Sequence, residues 1–219
     1  MLMLDISGAA DRASRNATIV GTRTLAPTQV PVELAELKKH ARVDEDLTAD
    51  DELLQSFLDA ALEHIEEYTG MALCTQKWEF RMDAFPFGGT AIYVPRPPLI
   101  SIDEISYVDI NGVTQIVDPT TYNVDTVSWP ARVAPKYGVI WPPTVWMPST
   151  WTMNGVKIKA TCGFGAPENV PAPLKLAIKL LAAKWDRFRL ADELAIGGVM
   201  ISVPGVKQML AKYVIRMTG

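Results

Sequence analysis

The spacing of apolar residues along the chain changes near Gly163, and this change predicts two successive elements. Apolar and polar side chains alternate over residues 156–162, which predicts a β-strand with one buried face. Gly163 and Gly165 are expected to end this strand, because glycine reaches positive φ without steric cost. From Leu174 the apolar side chains recur every three or four residues, which predicts an amphipathic helix with a basic opposite face.

Two more helices are predicted in the first third of the chain. The shorter one begins near Pro31 and ends at Arg42. The longer one has Thr48 or Asp50 as its N-cap, and Gly70 is placed to end it. Its apolar stripe is formed by Leu54, Phe57, Leu58, Ala61, Ile65 and Tyr68.

β-Forming residues dominate the middle of the chain, where prolines and glycines separate short strands. The dipeptide Asn111-Gly112 predicts a hairpin between two of them. Residues 129–151 hold four of the six tryptophans among five prolines, which favours an irregular loop. The strands are predicted at 75–82, 91–94, 100–110, 113–117, 122–124 and 131–133.

These elements predict an α+β fold in which N-terminal helices and a long C-terminal helix pack with a small, mostly antiparallel β-sheet. Residues 1–29 are weakly patterned and are interpreted as an N-terminal arm that only a partner would order. Residues 30–190 are predicted to form the core domain. Gly197-Gly198 marks a flexible joint in a separate C-terminal segment, residues 191–219.

Charge, cysteine content and hydropathy exclude several classes of function, although they say little about the fold. The 219-residue chain has a formal net charge of −4, which argues against a protein that grips nucleic acid through a basic excess. Cys74 and Cys162 lie in apolar strand patterns and are predicted to be buried, reduced thiols. No apolar run approaches the length of a membrane span, and residues 1–20 do not resemble a signal peptide. We therefore expect synthesis in the cytosol and no membrane contact.

Searching the chain for catalytic chemistry yields no convincing site. The sequence CGFGAPEN at 162–169 joins a strand to a helix, but its prolines remove backbone donors that a phosphate loop needs. His40 and His64 fall on different predicted helices without a metal-binding spacing. The acidic run at 50–52 is typical of a helix N-terminus. The sequence therefore predicts no catalytic residue, no metal site and no cofactor.

The predicted helix after Pro173 carries a basic face that has two interpretations. Its members are Lys175, Lys179, Lys184, Arg187 and Arg189. We favour a solvated face whose last residues complement the helix dipole. The alternative is contact with an acidic partner surface or with passing DNA.

Several short motifs in a fixed order resemble the head–tail connector (adaptor) proteins of tailed double-stranded DNA phages and gene transfer agents. They are formed by Leu37, Lys38, His40 and Arg42, then Asp50, Asp51, Leu53 and Leu54, then Ala60 and Ala61, then Glu67, Tyr68, Thr69 and Gly70, then Gln76 and Trp78. Residues 94–113 resemble the proline turn and hairpin of that family, and residues 156–189 resemble its final strand, glycine turn and helix. The resemblance covers about residues 31–190.

The resemblance implies a connector-like fold and a structural virion protein without catalysis, located in the head–tail neck. Relatives form a homo-oligomeric ring, usually of twelve subunits, beneath the portal protein. The implied partners are the portal protein, a tail, stopper or terminator protein, and other copies of this chain. Double-stranded DNA would pass through the ring without specific binding.

The C-terminal segment is predicted to dock onto the portal. Residues 199–203 are apolar and β-branched and are suited to adding a strand to a partner's sheet. A short helix after Pro204 offers a stripe too small to be stable alone. The alternative is that the segment folds back on the preceding helix. The predicted portal interface comprises Val199, Ile201, Val203, Val206, Leu210, Tyr213 and Val214.

Two other functions remain open from the sequence. The first is a small-molecule enzyme whose site is assembled from residues that spacing does not reveal, and it would have a polar pocket with perturbed titratable groups. The second is a DNA-binding accessory factor that uses the basic helix face, and its binding would depend strongly on salt.

Overall fold

The computed structural model describes residues 19–86, 89–142, 153–188 and 204–215. These residues divide into two compact units. The sheet unit contains the described residues up to 26 and those of 76–163. The helical unit contains residues 27–75 and the described residues of 164–215.

The described residues of the sheet unit form two antiparallel sheets. The larger has the strand order β1-β2-β8-β4-β5, and the smaller has the order β3-β7-β6. A 3₁₀ turn at Pro119–Thr121 precedes β6. The strands are β1 (Val20–Leu25), β2 (Gln76–Met82), β3 (Ile92–Val94), β4 (Leu99–Val108), β5 (Thr114–Ile116), β6 (Tyr122–Asp125), β7 (Ala131–Pro135) and β8 (Val156–Cys162).

The two central strands of the larger sheet have the alternation that the sequence predicts. On β2 the side chains of Trp78 and Phe80 are buried, and they lie opposite the buried Ala160 and Ile158 of β8. Each fully buried large apolar side chain contributes about 1.5–3 kcal/mol relative to an exposed one. A slip of one residue would expose the whole buried face, so this alternation determines the register of the two strands.

The predicted hairpin joins β4 to β5. Gly112 has a φ of 77°, which an L-residue with a side chain rarely adopts. The Asp109 Oδ1 atom accepts hydrogen bonds from the backbone N–H groups of Asn111 and Val113, at 2.8 and 3.0 Å. The turn is therefore stabilised by its own side chains.

Strand β1 lies in the predicted arm and was not predicted from the sequence. Val20 and Gly21 pair with Arg81 and Phe80 of β2. The strand is at the edge of the sheet and nearly all of its side chains are exposed, so it has no hydrophobic alternation to detect. A Cβ atom on Gly21 would lie 2.9 Å from the Phe80 ring, so this close approach requires glycine.

The described residues of the helical unit contain four helices, α1 (Leu34–Ala41), α2 (Asp51–Thr69), α3 (Ala172–Arg187) and α4 (Pro204–Leu210), with a 3₁₀ turn at Pro167–Asn169 before α3. Helix α2 ends at Gly70, whose φ of 70° and N–H bond to the Glu66 carbonyl are those of a left-handed C-cap. The largest fully buried side chains of this unit's hydrophobic core are Leu37, Leu54, Leu58, Ile65, Met71, Leu73, Leu174 and Ile178.

The α+β class and the mostly antiparallel sheet agree with the prediction. The helix predicted after Pro173 is present as α3, although it is not the longest helix among the described residues. Helix α3 has 16 residues and is shorter than α2, which has 19. The helices share a hydrophobic core of their own within the helical unit. Packing of the helices with the sheet stays a prediction.

Candidate interaction surfaces

The residues first considered for catalysis have structural contacts. His64 stacks on Tyr68 at 6.3 Å and meets the edge of Trp185 at 6.4 Å, measured between ring centroids. Asp51 forms an ion pair with the buried ammonium group of Lys38. Within the described ranges, no group of three or more His, Cys, Asp or Glu side chains is arranged to hold a metal ion.

The glycine-rich turn after β8 uses its backbone groups within the protein. In the helical unit, the N–H of Phe164 donates to the Leu73 carbonyl at 2.9 Å, and the Gly165 carbonyl accepts from the N–H of Thr75 at 3.1 Å. The N–H of Asn169 donates to the Ala166 carbonyl at 3.0 Å. The first two bonds connect the turn to residues 73–75, which follow α2, and the third closes the turn itself. The turn therefore has a structural role.

Both cysteines are buried and free, as the sequence predicts. Burial, followed by the neighbouring Glu66 carboxylate, raises the pKa of the Cys74 thiol to about 11. Burial, followed by Asp103, raises the pKa of the Cys162 thiol to about 12. Because the thiolate is the reactive form, these side chains are chemically inert near neutral pH.

The described part of the predicted portal interface lies in the helical core of this chain. Val206, Leu210 and Tyr213 are buried in the hydrophobic cluster that also contains α2 and α3 side chains, and Val214 is half-buried. The N–H of Ile215 donates to the Thr69 carbonyl at 2.9 Å, which ties the segment to the end of α2. This corrects the expectation that the segment leaves its own core: its apolar stripe is covered by α2 and α3. The predicted residues Val199, Ile201 and Val203 lie outside the described residues.

The polar face of the larger sheet carries lysines on β2 and β8 and carboxylates on β4. Lys159 pairs with Glu104 at 2.9 Å, and Lys77 pairs with Asp103 at 3.2 Å. Partial burial acts to raise the pKa of Asp103, but hydrogen bonds from Ser101, Thr161 and Lys77 outweigh it and keep that pKa below its usual value. Since neighbouring charges compensate one another, this face has little excess field to hold a polyanion.

An apolar surface of the sheet unit was not anticipated from the sequence. Ile116 and Ile140 are 65% and 69% exposed, and both line a cavity of about 190 Å³. The cavity also meets Trp141, whose ring stacks on Phe85 at 5.0 Å and whose indole N–H donates to the Thr90 carbonyl at 2.8 Å. Exposed apolar surface of this kind is typical of contacts between proteins.

The basic helix face contributes to a groove in the helical unit. Lys175 and Lys179 of α3 line it together with Lys212, which follows α4. The floor is apolar and includes Leu176 and Met209, and the groove has a volume of about 620 Å³. Of the other predicted members of the face, Arg187 lies over the ring of Phe188 at 5.9 Å, and Arg189 lies outside the described residues.

Part of the chain matches the sequence model of a known protein family. Residues 31–118 match the sequence model of a family described as phage gp6-like head-tail connector proteins. No curated protein sequence matches the chain. No helix within the described residues is long and apolar enough to cross a membrane.

Solved structures of similar fold come from gene transfer agent (GTA) particles. A chain in the neck of an empty GTA particle, computed with C6 symmetry, has a TM-score of 0.71 and 25% identity, and the match covers 91% of this chain and 98% of that one. A chain in the virion of a native GTA particle has a TM-score of 0.68 and 25% identity, with the same coverage. A third, from the neck of a native GTA particle computed with C12 symmetry, has a TM-score of 0.67 and 23% identity over the same shares, and it supports the fold alone. The predicted resemblance to head–tail connectors is confirmed.

Proposed function

We propose that this chain is a structural virion protein that forms a ring between portal and tail. Its residues 31–118 match the sequence model of the connector family. The observation that supports this most directly is the fold likeness to a chain in a GTA particle neck, which extends over 91% of this chain. A likeness of that extent includes both the sheet unit and the helical unit, so it does not rest on one shared motif.

The ring is proposed to be a homo-oligomer, and twelve is the proposed number of subunits. The similar chains belong to necks computed with C6 and C12 symmetry, and both symmetries suit a ring of twelve. A ring subunit needs two different, complementary faces, because head-to-tail contacts close only when each copy binds the next in the same way. The ring would extend the DNA channel and complete the head.

The proposed partners are the portal protein on one side and a tail, stopper or terminator protein on the other. DNA is proposed to pass through without specific binding, in keeping with the net charge of −4 and the compensated charges of the sheet face. We propose no catalytic role. Residues 1–29 and 191–219 remain the proposed arm and portal-docking segment beside a proposed core domain of residues 30–190, and β1 and α4 attach them to their own subunit.

The proposal that the C-terminal segment docks onto the portal is restricted here to the part of the segment that its own core does not bury. Val206, Leu210 and Tyr213 are occupied within the helical core, so they would anchor the segment on its own subunit. The exposed side of α4, with Lys207 and Gln208, is the part open to another protein. Residues 199–203 stay the proposed strand-adding part.

The decisive experiment adds the purified full chain to DNA-filled heads that carry portal but lack this protein. We expect electron microscopy to reveal a ring with twelvefold symmetry directly below the portal, and added tails to attach only to heads that have this ring. Heads lacking portal serve as the control and should bind no ring. Density on the capsid shell or at the distal end of the tail, with none at the portal, would contradict the proposal.

A further inference from the structure

The lysine-lined groove of the helical unit has the properties of a binding site for an acidic, partly apolar segment. Its rim holds three ammonium groups, and its floor includes the 39% exposed Leu176. Lys179 is paired with Glu36 at 3.3 Å, whereas Lys175 and Lys212 have no carboxylate partner among the described residues. Two cations beside an apolar floor favour an occupant that combines negative charge with one apolar side chain.

A segment of matching chemistry occurs on the same chain, in the loop between α1 and α2. Asp44, Glu45 and Asp46 are exposed, and none of them forms an ion pair within the described ranges. Leu47 follows directly and is 59% exposed. This acidic loop, residues 44–47, therefore presents three negative charges next to one unburied leucine.

The acidic loop is held in shape by a buried lysine. Lys38 donates hydrogen bonds to the carbonyl oxygens of Glu45 and Leu47, at 3.2 and 2.9 Å, and pairs with Asp51. Burying an ammonium group is costly unless its donors are satisfied, and here they are. The Leu47 N–H also donates to the Asp44 carbonyl at 3.1 Å. A loop restrained in this way loses little entropy on binding, which favours a specific contact.

We propose that the acidic loop of one copy inserts Leu47 into the lysine-lined groove of the next copy. Asp44, Glu45 and Asp46 then face the rim lysines, Lys175 and Lys212 foremost. No residue of the loop lines the groove of its own chain, so the two surfaces are different patches. Two different, complementary patches make a head-to-tail contact, which is the kind that closes into a ring. The inference rests on the proposed ring and identifies one of its subunit contacts.

A second copy fits this groove better than nucleic acid does. DNA phosphates would meet the lysines but would leave the apolar floor without a partner, whereas the loop satisfies both. Opposite charges on the two patches also raise the rate of encounter between copies.

A charge-swap experiment tests the contact. The groove-reversed variant carries Lys175→Glu and Lys212→Glu, and the loop-reversed variant carries Asp44→Lys and Asp46→Lys. Each alone places like charges opposite one another, and we expect self-association to weaken by more than about 100-fold. Mixed in equal amounts, the two variants can alternate around an even-numbered ring with opposite charges at every contact, so association should return. Sedimentation of the full chain, alone and on portal-bearing heads, measures the effect.

A matched control separates this contact from net charge. Lys39 and Lys136 are exposed lysines that do not line the groove and lie outside the proposed interfaces. The variant Lys39→Glu with Lys136→Glu changes the net charge by the same amount as the groove-reversed variant. It should assemble like the wild type, and circular dichroism should find all variants folded.

A cross-linking experiment provides a second readout. Leu47→Cys and Leu176→Cys in one chain should give a ladder of covalent oligomers on mild oxidation. A mixture of the two single variants should stop at heterodimers, and each single variant alone should give none. The native Cys74 and Cys162 are buried and should not contribute.

The possible outcomes separate the contact from the ring. Wild-type protein that associates neither alone nor on heads would remove both the ring and this contact. If the wild type associates and the reversed variants match the control, or the cysteine pair gives no ladder, only this contact is wrong. Loss of head binding with unchanged self-association would assign the groove to another particle protein and would also overturn it.

Discussion

At the scale of single residues, the side chains that most define this protein are buried polar ones. Lys38 is 4% exposed and holds the loop between α1 and α2 through two carbonyl groups and Asp51. Glu66 is also buried, and its Oε1 atom accepts a hydrogen bond from the Leu73 N–H at 2.9 Å. Each residue connects a helix to backbone outside it: Lys38 of α1 to the polar loop before α2, and Glu66 of α2 to the buried apolar segment that follows it.

We predict that Lys38→Ala destabilises the protein by about 2–3 kcal/mol, because it leaves two carbonyl groups and a carboxylate without their donor. Chemical denaturation of the full chain measures this change. The control Lys39→Ala alters the exposed neighbour and should stay within about 0.5 kcal/mol of the wild type. Equal effects from the two variants would mean that the buried ammonium group does not stabilise the loop.

The cysteines lead to a prediction about pH. Because the folded-state pKa of Cys74 is raised from 9.0 to about 11, the folded state holds this proton more tightly than the unfolded state does. The resulting stability is fully present below about pH 9 and is lost as the pH rises through about 11.

The variant Cys74→Ala with Cys162→Ala should assemble normally and should lose less stability between pH 9 and 11 than the wild type does. Thermal melts at several pH values measure this difference. A thiol reagent added to the native wild type at neutral pH should react only as the protein unfolds. Rapid labelling of the folded protein would show that burial does not protect the thiols.

At the scale of elements, the C-terminal helix α4 is the clearest case of an element that its neighbours stabilise. It has seven residues, which is too short to be stable in isolation. Val206 and Leu210 are buried in the core that α2 and α3 also form, and the Ile215 N–H bond to the α2 end closes the segment.

We predict that Leu210→Ala lowers the free energy of unfolding by about 2–4 kcal/mol, since it opens a cavity in this core. Gln208→Ala on the exposed side of the same helix is the control and should cost less than about 0.5 kcal/mol. Truncation after Leu190 removes the whole segment and should give a destabilised or insoluble subunit. A truncated protein that melts like the wild type would mean that α4 contributes nothing to the core.

At the scale of the whole molecule, surface charge determines how strongly the protein binds DNA. The net charge is −4, and Lys77 and Lys159 of the larger sheet are paired with the β4 carboxylates Asp103 and Glu104. A protein of the proposed channel must let DNA move, and tight phosphate contacts would oppose that movement.

We predict weak DNA binding by the isolated full chain, without sequence preference and with a shallow dependence on salt. Fluorescence anisotropy of a labelled duplex between about 50 and 200 mM salt measures it. The charge-changing variant Glu104→Lys, which removes one carboxylate from the sheet face, should bind more tightly and with a steeper salt slope. Tight, steeply salt-dependent binding by the wild type would favour the DNA-binding alternative.

The sequence by itself determined the elements that bury one regular face. The alternation of β2 and β8, the Asn111-Gly112 hairpin and most of the α2 stripe were predicted correctly, although Tyr68 of that stripe is 38% exposed. Each is a local pattern, because a side chain's burial depends first on the period of its own element. The resemblance to connectors rests on the same local motifs.

The tertiary structure alone decided which surfaces meet. Strand β1 is polar and forms only because β2 offers it a free edge. Leu210 was equally suited to a partner or to its own core, since an apolar stripe does not specify what covers it. The groove joins residues 172–179 to residues 209–212, and no local pattern connects segments that are distant in sequence. Burial of Lys38 likewise depends on a loop that folds back over it, which its helical position does not reveal.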